Sequence, residues 1–284
     1  QADYFNGALG QTLSACLDEW VRGDRDRPIR IIEIGAGTGG TTAGLLPMLR
    51  QYPIAEYCYT DLSKAFLMHA EKAYRAQLPA LVTAIFDVSR PPASQAIRTG
   101  RYDIAIAANV LHATRNIRET LRNAKALLRR QGVLLLNELS TWNLLAHVTF
   151  GLLEGWWLYE DDALRLPGTP GVPTETWRAV LEEEGFDSVL FAAPDAHRFG
   201  QQIIAASSNG WVRQRVVREA AAASQSAGDA GRAETVVTGS GPADGGEVRR
   251  IIRDALAEAL KLEVTTIRDD EPFVLSLGAY EEAR

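Results

Sequence analysis

The sequence predicts an α/β protein with a seven-stranded, mostly parallel, doubly wound sheet. Seven apolar runs of strand length follow one another in the first 208 of its 284 residues, and stretches with apolar residues at helical spacing lie between most of them. Apolar strands that alternate with helices are typical of a parallel sheet covered on both faces. The connection between the last two runs is too short for a crossover helix, so we expect these two strands to pair antiparallel.

The predicted elements follow the apolar runs in chain order. Gly132 and Gly185 stand where the C-terminal caps of two helices are expected. The segment GLLEGWWLYED, residues 151–161, falls between the fifth strand and the last helix and predicts a helical lid insertion. Strands are expected at 29–35, 56–63, 81–89, 102–112, 132–139, 186–194 and 201–207, and helices at 41–52, 64–77, 117–130 and 173–185.

The composition argues against several classes of protein. The 30 basic and 36 acidic residues give a net charge of -6, whereas a nucleic-acid-binding protein would need a strongly basic face. Two cysteines are too few for a disulfide framework, and the four histidines lack metal-ligand spacing, so no metal is expected. The N-terminus has no signal pattern, and the longest apolar stretch, 142–162, contains His147 and Glu154. We therefore expect a cytoplasmic protein that binds neither nucleic acid nor membranes.

The composition changes sharply near residue 209. Residues 209–246 are rich in Ala, Gly and Ser and poor in large apolar side chains, which predicts a flexible linker. The chain is therefore expected to divide into one domain at 1–208, this linker, and a short separate segment at 247–284.

The first predicted strand ends in a glycine-rich turn, EIGAGTGG, that leads into the first predicted helix. Glycines allow a tight turn and a close approach by a ligand, and the following helix N-terminus favours an anion. Glu33 is a charged residue in an apolar strand, so it needs a polar partner. Asp61 ends the second strand, 22 residues after Gly39, and its two carboxylate oxygens match a ribose diol. A nicotinamide dinucleotide and S-adenosylmethionine both fit these features.

The acid before the turn and the tight spacing of Gly35, Gly37 and Gly39 after Glu33 resemble the class I S-adenosylmethionine-dependent methyltransferases. The resemblance covers about residues 29–208 and implies that S-adenosylmethionine is the cofactor. It implies that the three glycines lie behind the methionine portion of the cofactor, with Glu33 close by.

The same resemblance implies the remaining cofactor contacts. Asp61 would hold the ribose, and Leu62 would lie beside the adenine. Asp87 and Val88, in AIFDVS, would touch the adenine edge. Asn109, after the fourth strand, would touch the cofactor or orient its loop.

His112 and Glu138 form the candidate catalytic pair. His112 follows the fourth strand and Glu138 ends the fifth, which we expect to be its neighbour in the sheet, so the two side chains can converge. A histidine oriented by a carboxylate is a general base near neutral pH. Methyl transfer needs such a base when the acceptor must first lose a proton, as a carbon between two carbonyls or a hydroxyl does.

Four motifs around this pair resemble the carbon methyltransferase domains of modular and fungal polyketide synthases. The resemblance implies that His112 and Glu138 remove the α-proton of a β-ketoacyl chain tethered to a carrier protein, and that the resulting enolate takes the methyl group. The motifs are NVLHAT at 109–114, LLLNELS at 134–140, FGLLEGWWLYEDD at 150–162 and PTETWRAVLEEEGF at 173–186.

The resemblance also implies substrate contacts. The family has a tyrosine from an N-terminal lid in its pocket, and Tyr4, in ADYFNGAL, is the nearest match. Trp156 and Trp157 would line the channel for the acyl chain and its phosphopantetheine arm. An O-methyltransferase of the same fold and a catalytically inactive scaffold domain of a synthase are the alternatives.

Residues 247–284 are similar to the start of an acyl carrier protein, with an amphipathic helix, the loop DDEPF and then Leu277 and Gly278. The family continues with a serine that carries phosphopantetheine, but Ala279, Tyr280 and Glu281 follow here. We expect a partial or degenerate carrier segment. The expected partners are an acyl carrier protein and neighbouring synthase domains.

Overall fold

The computed structural model describes residues 2–213 and contains seven strands and six α-helices in this range. The predicted linker from residue 214 onward and the carrier-like segment lie outside the described residues. The strands are β1 Ile29–Ile34, β2 Ile54–Asp61, β3 Leu81–Ile85, β4 Tyr102–Ala108, β5 Leu128–Leu139, β6 Phe186–Phe191 and β7 Gln201–Ser208. The α-helices are α1 Ala2–Gly23, α2 Gly40–Leu49, α3 Lys64–Tyr74, α4 Ile117–Leu127, α5 Leu144–Phe150 and α6 Thr174–Glu183.

The strands form one sheet in the order β3-β2-β1-β4-β5-β7-β6. The first five strands run parallel, and β7 lies between β5 and β6 and pairs antiparallel with both. The predicted seven-stranded, mostly parallel sheet is confirmed, as is the antiparallel pairing of its last two strands. This order brings the carboxyl ends of β1, β4 and β5 to the same edge, where open α/β sheets bind ligands.

Helices cover both faces of the sheet. The helices α1, α2 and α3 contribute to the apolar core on one face, and α4 and α6 to the core on the other. The helix α1 was not predicted from the sequence. Its contact with the core is made by four fully buried side chains, those of Phe5, Leu9, Leu13 and Leu17. Their spacing of four residues places them on one side of the helix. Burying side chains of this size contributes roughly 1.5–3 kcal/mol each, so α1 is an integral layer of the domain.

One of the two predicted helix caps is wrong. Gly185 follows α6 with φ +76°, as a capping glycine should. Gly132 instead lies inside β5, because α4 ends at Leu127 and the strand begins with the next residue. The pairing of β4 with β5 is irregular here, and a Cβ on Gly132 would lie 2.9 Å from the carbonyl oxygen of Arg129 in β5 and 3.0 Å from that of Tyr102 in β4. Gly132 is therefore required by the irregular backbone of β5 together with the close approach of β4.

The insertion lies between β5 and α6, as predicted. Its α-helix, α5, precedes the predicted segment 151–161, which instead contains the 3-10 turn Glu154–Trp157, and a second 3-10 turn follows at Asp162–Leu164. The side chain of Asn143 caps α5 by accepting a hydrogen bond from the Ala146 N–H at 2.9 Å. Within residues 2–213, no helix combines the length and apolar character that a membrane span requires.

Candidate active site

The glycine turn connects β1 to α2, and its three candidate glycines have different surroundings. All three have positive φ, which favours glycine. A Cβ on Gly35 would lie 2.7 Å from the Val110 side chain, and one on Gly39 would lie 2.6 Å from Tyr74. A Cβ on Gly37 would meet nothing within 4 Å. Gly35 and Gly39 therefore permit packing inside the protein, whereas Gly37 faces space that a ligand can occupy.

Asp61 ties the end of β2 to this turn. Its carboxylate accepts hydrogen bonds from the N–H of Gly37 at 2.9 Å and from the N–H of Ser63 at 2.8 Å. A carboxylate has about four acceptor positions, so Asp61 can accept two further bonds. Leu62 follows with 66% of its side chain exposed. The pair offers an acceptor and an apolar surface next to the turn.

Glu33 is buried beneath the turn, with 1% of its surface exposed. It accepts hydrogen bonds from the hydroxyl of Thr42, in the first turn of α2, and from that of Tyr57 at 2.6 Å. Burial raises the pKa of Glu33 to about 7, although both hydroxyl groups act to lower it. The acid thus has polar partners within the protein and holds the start of α2 against β1 and β2.

Asp87 and Val88 follow β3. The Asp87 carboxylate accepts from the N–H of Ser89 at 2.9 Å, while its own N–H donates to the side chain of Gln95 at 2.8 Å. Val88 is buried in the core beneath α4, and its carbonyl accepts from the Asn123 amide at 2.8 Å. The Val88 side chain therefore belongs to the core, and Asp87 is the more accessible of the two.

Asn109 stands directly after β4 with φ +58°. Its N–H donates to the carbonyl of Asn137 in β5 at 2.7 Å, and its side-chain oxygen accepts from the Gln201 amide in β7. These contacts fix the direction in which the loop leaves the sheet. Two roles were predicted for Asn109, contact with the cofactor and orientation of the loop, and these contacts within the protein support the second.

His112 and Glu138 meet at the ends of β4 and β5. The ring Nδ1–H of His112 donates to the Glu138 carboxylate, and the two residues are 3% and 0% exposed. The same carboxylate accepts from the N–H groups of Val110 at 3.1 Å, Leu111 at 2.8 Å and His112 at 3.3 Å. Glu138 therefore holds both the loop and the imidazole. Nδ1 is engaged, which leaves Nε2 as the ring nitrogen that can take a proton.

Arg165 also holds the loop that contains His112, and this role was not predicted from the sequence. Arg165 is 5% exposed, and its guanidinium donates to the carbonyls of His112 at 2.7 Å, Pro170 at 2.9 Å and Thr114 at 3.0 Å. It also donates to Asp161 at 2.6 Å. The available signal was an arginine among leucines in ALRLPG, four residues after an aspartate.

The insertion brings aromatic side chains close to His112. The ring of Trp156 lies 6.4 Å from that of His112, edge-on at 79°, and is 5% exposed. Trp157 is 50% exposed and donates its indole N–H to the carbonyl of Gly151 at 2.9 Å. Tyr4, in the first turn of α1, is 48% exposed and lies edge-on to Phe5. Of the three predicted substrate contacts, only Trp156 has a ring contact with His112.

Comparison with known proteins agrees with this fold. Residues 32–134 match a family model described as a methyltransferase domain. The polyketide synthase PksM of Bacillus subtilis strain 168 is 58% identical over 215 residues, which are 75% of this chain and 5% of PksM. The crystal structure of the DszA carbon methyltransferase has a TM-score of 0.69 and 38% identity, covering 74% of this chain and 55% of that chain. The trans-methyltransferase CalH, solved as a complex with SAH, has a TM-score of 0.60 and 29% identity, covering 72% and 58%.

The sheet order and the glycine turn place this chain in the class I methyltransferase fold. More particularly, residues 2–213 contain a methyltransferase domain of the kind that polyketide synthases carry. The chain spans 5% of the length of PksM and 55% of the DszA methyltransferase chain.

Proposed function

We propose that this domain transfers a methyl group from S-adenosylmethionine to the α-carbon of a β-ketoacyl thioester on an acyl carrier protein. The observation that carries the proposal is the buried pair of His112 and Glu138 at the carboxyl edge of the sheet. An acceptor that is already a good nucleophile needs positioning rather than a base. A carbon between two carbonyls must lose a proton first, and an oriented histidine is suited to remove it.

The glycine turn fits the proposed cofactor. Gly37 leaves open space against the backbone, and the carboxylate of Asp61 retains acceptor positions for a ribose diol. Asp61 and Asp87 are acidic residues on the surface that would bind this positively charged cofactor. When bound, S-adenosylmethionine supplies a methyl group on positively charged sulfur. The complex of CalH with SAH, the compound that remains after methyl transfer, supports this assignment.

The other predicted cofactor residues take narrower roles in the proposal. Gly35 and Gly39 shape the turn by packing closely on their neighbours. Glu33 supports the turn from below through Thr42, and Asn109 orients the loop. Leu62 is proposed to lie beside the adenine because it is exposed next to Asp61, whereas Val88 has only its main chain to offer.

The proton transfer is assigned to Nε2 of His112. The bond between the α-carbon and its hydrogen breaks, Nε2 takes the proton, and the electron pair spreads over the α-carbon and the carbonyl oxygen. Glu138 fixes the tautomer that exposes Nε2 and stabilises the imidazolium as it forms. Gly37 and Asp61 would hold S-adenosylmethionine, and the α-carbon would accept its methyl group as the bond between that methyl group and sulfur breaks.

The substrate and partners are proposed from the insertion and the relatives. Trp156 and Trp157, in the insertion, and Tyr4, in α1, would contact the acyl chain and its phosphopantetheine arm. PksM is a polyketide synthase of which this chain matches a small part, which supports neighbouring synthase domains and a carrier protein as partners.

The test uses the full chain, an acetoacetyl group loaded on a carrier protein, and S-adenosylmethionine with a 13C-labelled methyl group. Mass spectrometry should show the gain of one labelled methyl, and NMR should show it bonded to carbon. A methyl group bonded to oxygen would favour the O-methyltransferase alternative. Cofactor binding by calorimetry without any transfer would favour the scaffold alternative. The His112→Ala variant should lose transfer while its cofactor affinity stays near that of the wild type.

A further inference from the structure

Trp156 carries an indole N–H that is buried and has no hydrogen-bond partner among residues 2–213. Buried polar groups are nearly always paired, so an unpaired one calls for an explanation. The adjacent Trp157 shows the ordinary arrangement, because its N–H donates to the carbonyl of Gly151. A phenylalanine would fill the site of Trp156 without an unpaired donor. The donor at Trp156 is therefore poised for a group that arrives with a ligand.

The position of Trp156 relates this donor to the catalytic base. Its ring lies 6.4 Å from that of His112. It is held by Phe150, stacked at 6.2 Å and 12°, and by His147, edge-on at 6.0 Å and 80°. The Nδ1 of His147 is also buried without a partner in the described part of the chain, so it does not accept from Trp156. The indole is thus fixed beside His112 before any substrate binds.

The backbone N–H groups of residues 109–113, on both sides of His112, are all engaged within the protein. The N–H groups of Val110, Leu111 and His112 all donate to Glu138. The N–H of Asn109 donates to Asn137, and that of Ala113 donates to Val110. These five groups therefore cannot form an oxyanion hole, which backbone N–H groups often provide in acyl chemistry. A side-chain donor close to His112 is another way to stabilise the charge.

We infer that the indole N–H of Trp156 donates to the carbonyl oxygen on which negative charge develops when His112 removes the α-proton. The inference rests on the proposed function and assigns Trp156 as a catalytic residue of that reaction. As the C–H bond breaks, the proton moves to Nε2 of His112 and the electron pair moves toward this oxygen. In the methyl transfer that would follow, the α-carbon would bond to the methyl carbon as the methyl–sulfur bond breaks, so the charges on oxygen and on sulfur would both be lost. His112 then releases its proton to solvent.

The test compares the wild type with Trp156→Phe in two assays. One measures deuterium exchange at the α-carbon of the acetoacetyl thioester without a methyl donor, corrected for exchange without enzyme. The other measures kcat for methyl transfer. Loss of one oxyanion donor should lower both rates by about 100-fold, with cofactor affinity by calorimetry changed less than about twofold. Trp211→Phe makes the same chemical change at an exposed indole and should leave both rates unchanged.

A second variant separates the donor from the packing. Benzothienylalanine placed at position 156 keeps the shape of the indole ring but has sulfur in place of the N–H, so it should show the same loss as phenylalanine. If it keeps more than half of the wild-type exchange and transfer rates, the inference is overturned even if Trp156→Phe fails to fold. A wild type that neither exchanges nor methylates overturns the proposed function. A wild type that does both, with an equally active Trp156→Phe, overturns only the role of Trp156.

Discussion

Glu138 binds His112 at two points, through the ring Nδ1–H and through the backbone N–H at 3.3 Å. One carboxylate from β5 therefore sets both the position of the loop after β4 and the orientation of its imidazole. Two N–H groups preceding His112 donate to the same carboxylate. The folding of the loop and the placement of His112 therefore depend on the same residue, because these N–H groups are satisfied only when Glu138 is in place.

The Glu138→Gln variant should lose methyl transfer. A glutamine cannot accept four N–H groups on two anionic oxygens, and its amide would favour the wrong tautomer of His112. By analogy with the carboxylates of other oriented histidines, we expect kcat to fall roughly 100- to 10,000-fold. Calorimetry should show nearly unchanged cofactor affinity. Glu182→Gln, on the exposed side of α6, is the matched control and should keep full activity. Wild-type turnover in Glu138→Gln would contradict the assigned role.

The Asp61→Asn variant should weaken cofactor binding. The substituted side chain keeps one acceptor but loses the charge, and its amide N–H₂ faces the N–H of Gly37 or Ser63. Hydrogen bonds to a charged group contribute about 1.5–3 kcal/mol, so the Kd for S-adenosylmethionine should rise roughly 10- to 100-fold. Calorimetry measures this directly. Asp26→Asn, at an exposed turn, should bind as the wild type does. An unchanged Kd in Asp61→Asn would remove Asp61 from the cofactor site.

Glu33 should make the stability of the domain depend on pH. Burial raises its pKa from 4.5 to about 7, so the folded protein holds this proton more tightly than the unfolded chain. The stability due to this proton is present below about pH 4.5 and is lost as the pH rises to about 7. The free energy of unfolding of the wild type, relative to that of Glu33→Gln, should therefore fall by about 2–3 kcal/mol between pH 5 and pH 8. Other groups titrate alike in both proteins and cancel in the difference. Parallel urea curves at the two pH values test this, and a constant difference would rule out the raised pKa.

The Arg165→Lys variant should lose stability and activity together. Lysine keeps the charge but cannot bond to Asp161 and to three carbonyl groups at once, as the guanidinium fork does. Groups left buried and unpaired should lower the free energy of unfolding by about 2–4 kcal/mol. Urea denaturation measures the loss. Arg75→Lys, at an exposed arginine that pairs with the exposed Glu71, should change stability by less than about 1 kcal/mol. Equal stability of the two variants would show that Arg165 does not lock the loop.

Much of the fold was predictable because it depends on local patterns. Apolar runs of strand length between amphipathic stretches identify the seven strands, and the short connection between β6 and β7 predicts their antiparallel pairing. Gly132 was misread because a glycine after a helical pattern looks the same whether it caps the helix or lies within the next strand. The distinction depends on the irregular pairing of β4 with β5, where the carbonyl oxygens of Arg129 and Tyr102 leave no room for a Cβ on Gly132.

His112 and Glu138 were predictable as a pair because the ends of adjacent parallel strands meet at one edge of a sheet. Arg165 was not, because three of its four partners are backbone carbonyl groups, which every residue has and which no sequence pattern distinguishes. The unpaired N–H of Trp156 was not predictable either. Whether this group has a partner among the described residues depends on all the segments that pack around it.

The succession of the seven strands along the chain, the glycine turn and the residues that could perform acid–base chemistry are determined by the sequence alone, because they follow from spacing and residue type along a short stretch of chain. Tertiary structure alone decides that α1 packs on the sheet, that Glu33 lies beneath the turn, that Gly37 faces open space, and that Glu138 accepts from the N–H groups of the loop after β4. Burial and hydrogen bonding are properties of segments far apart in the chain, and they are fixed only when those segments pack together.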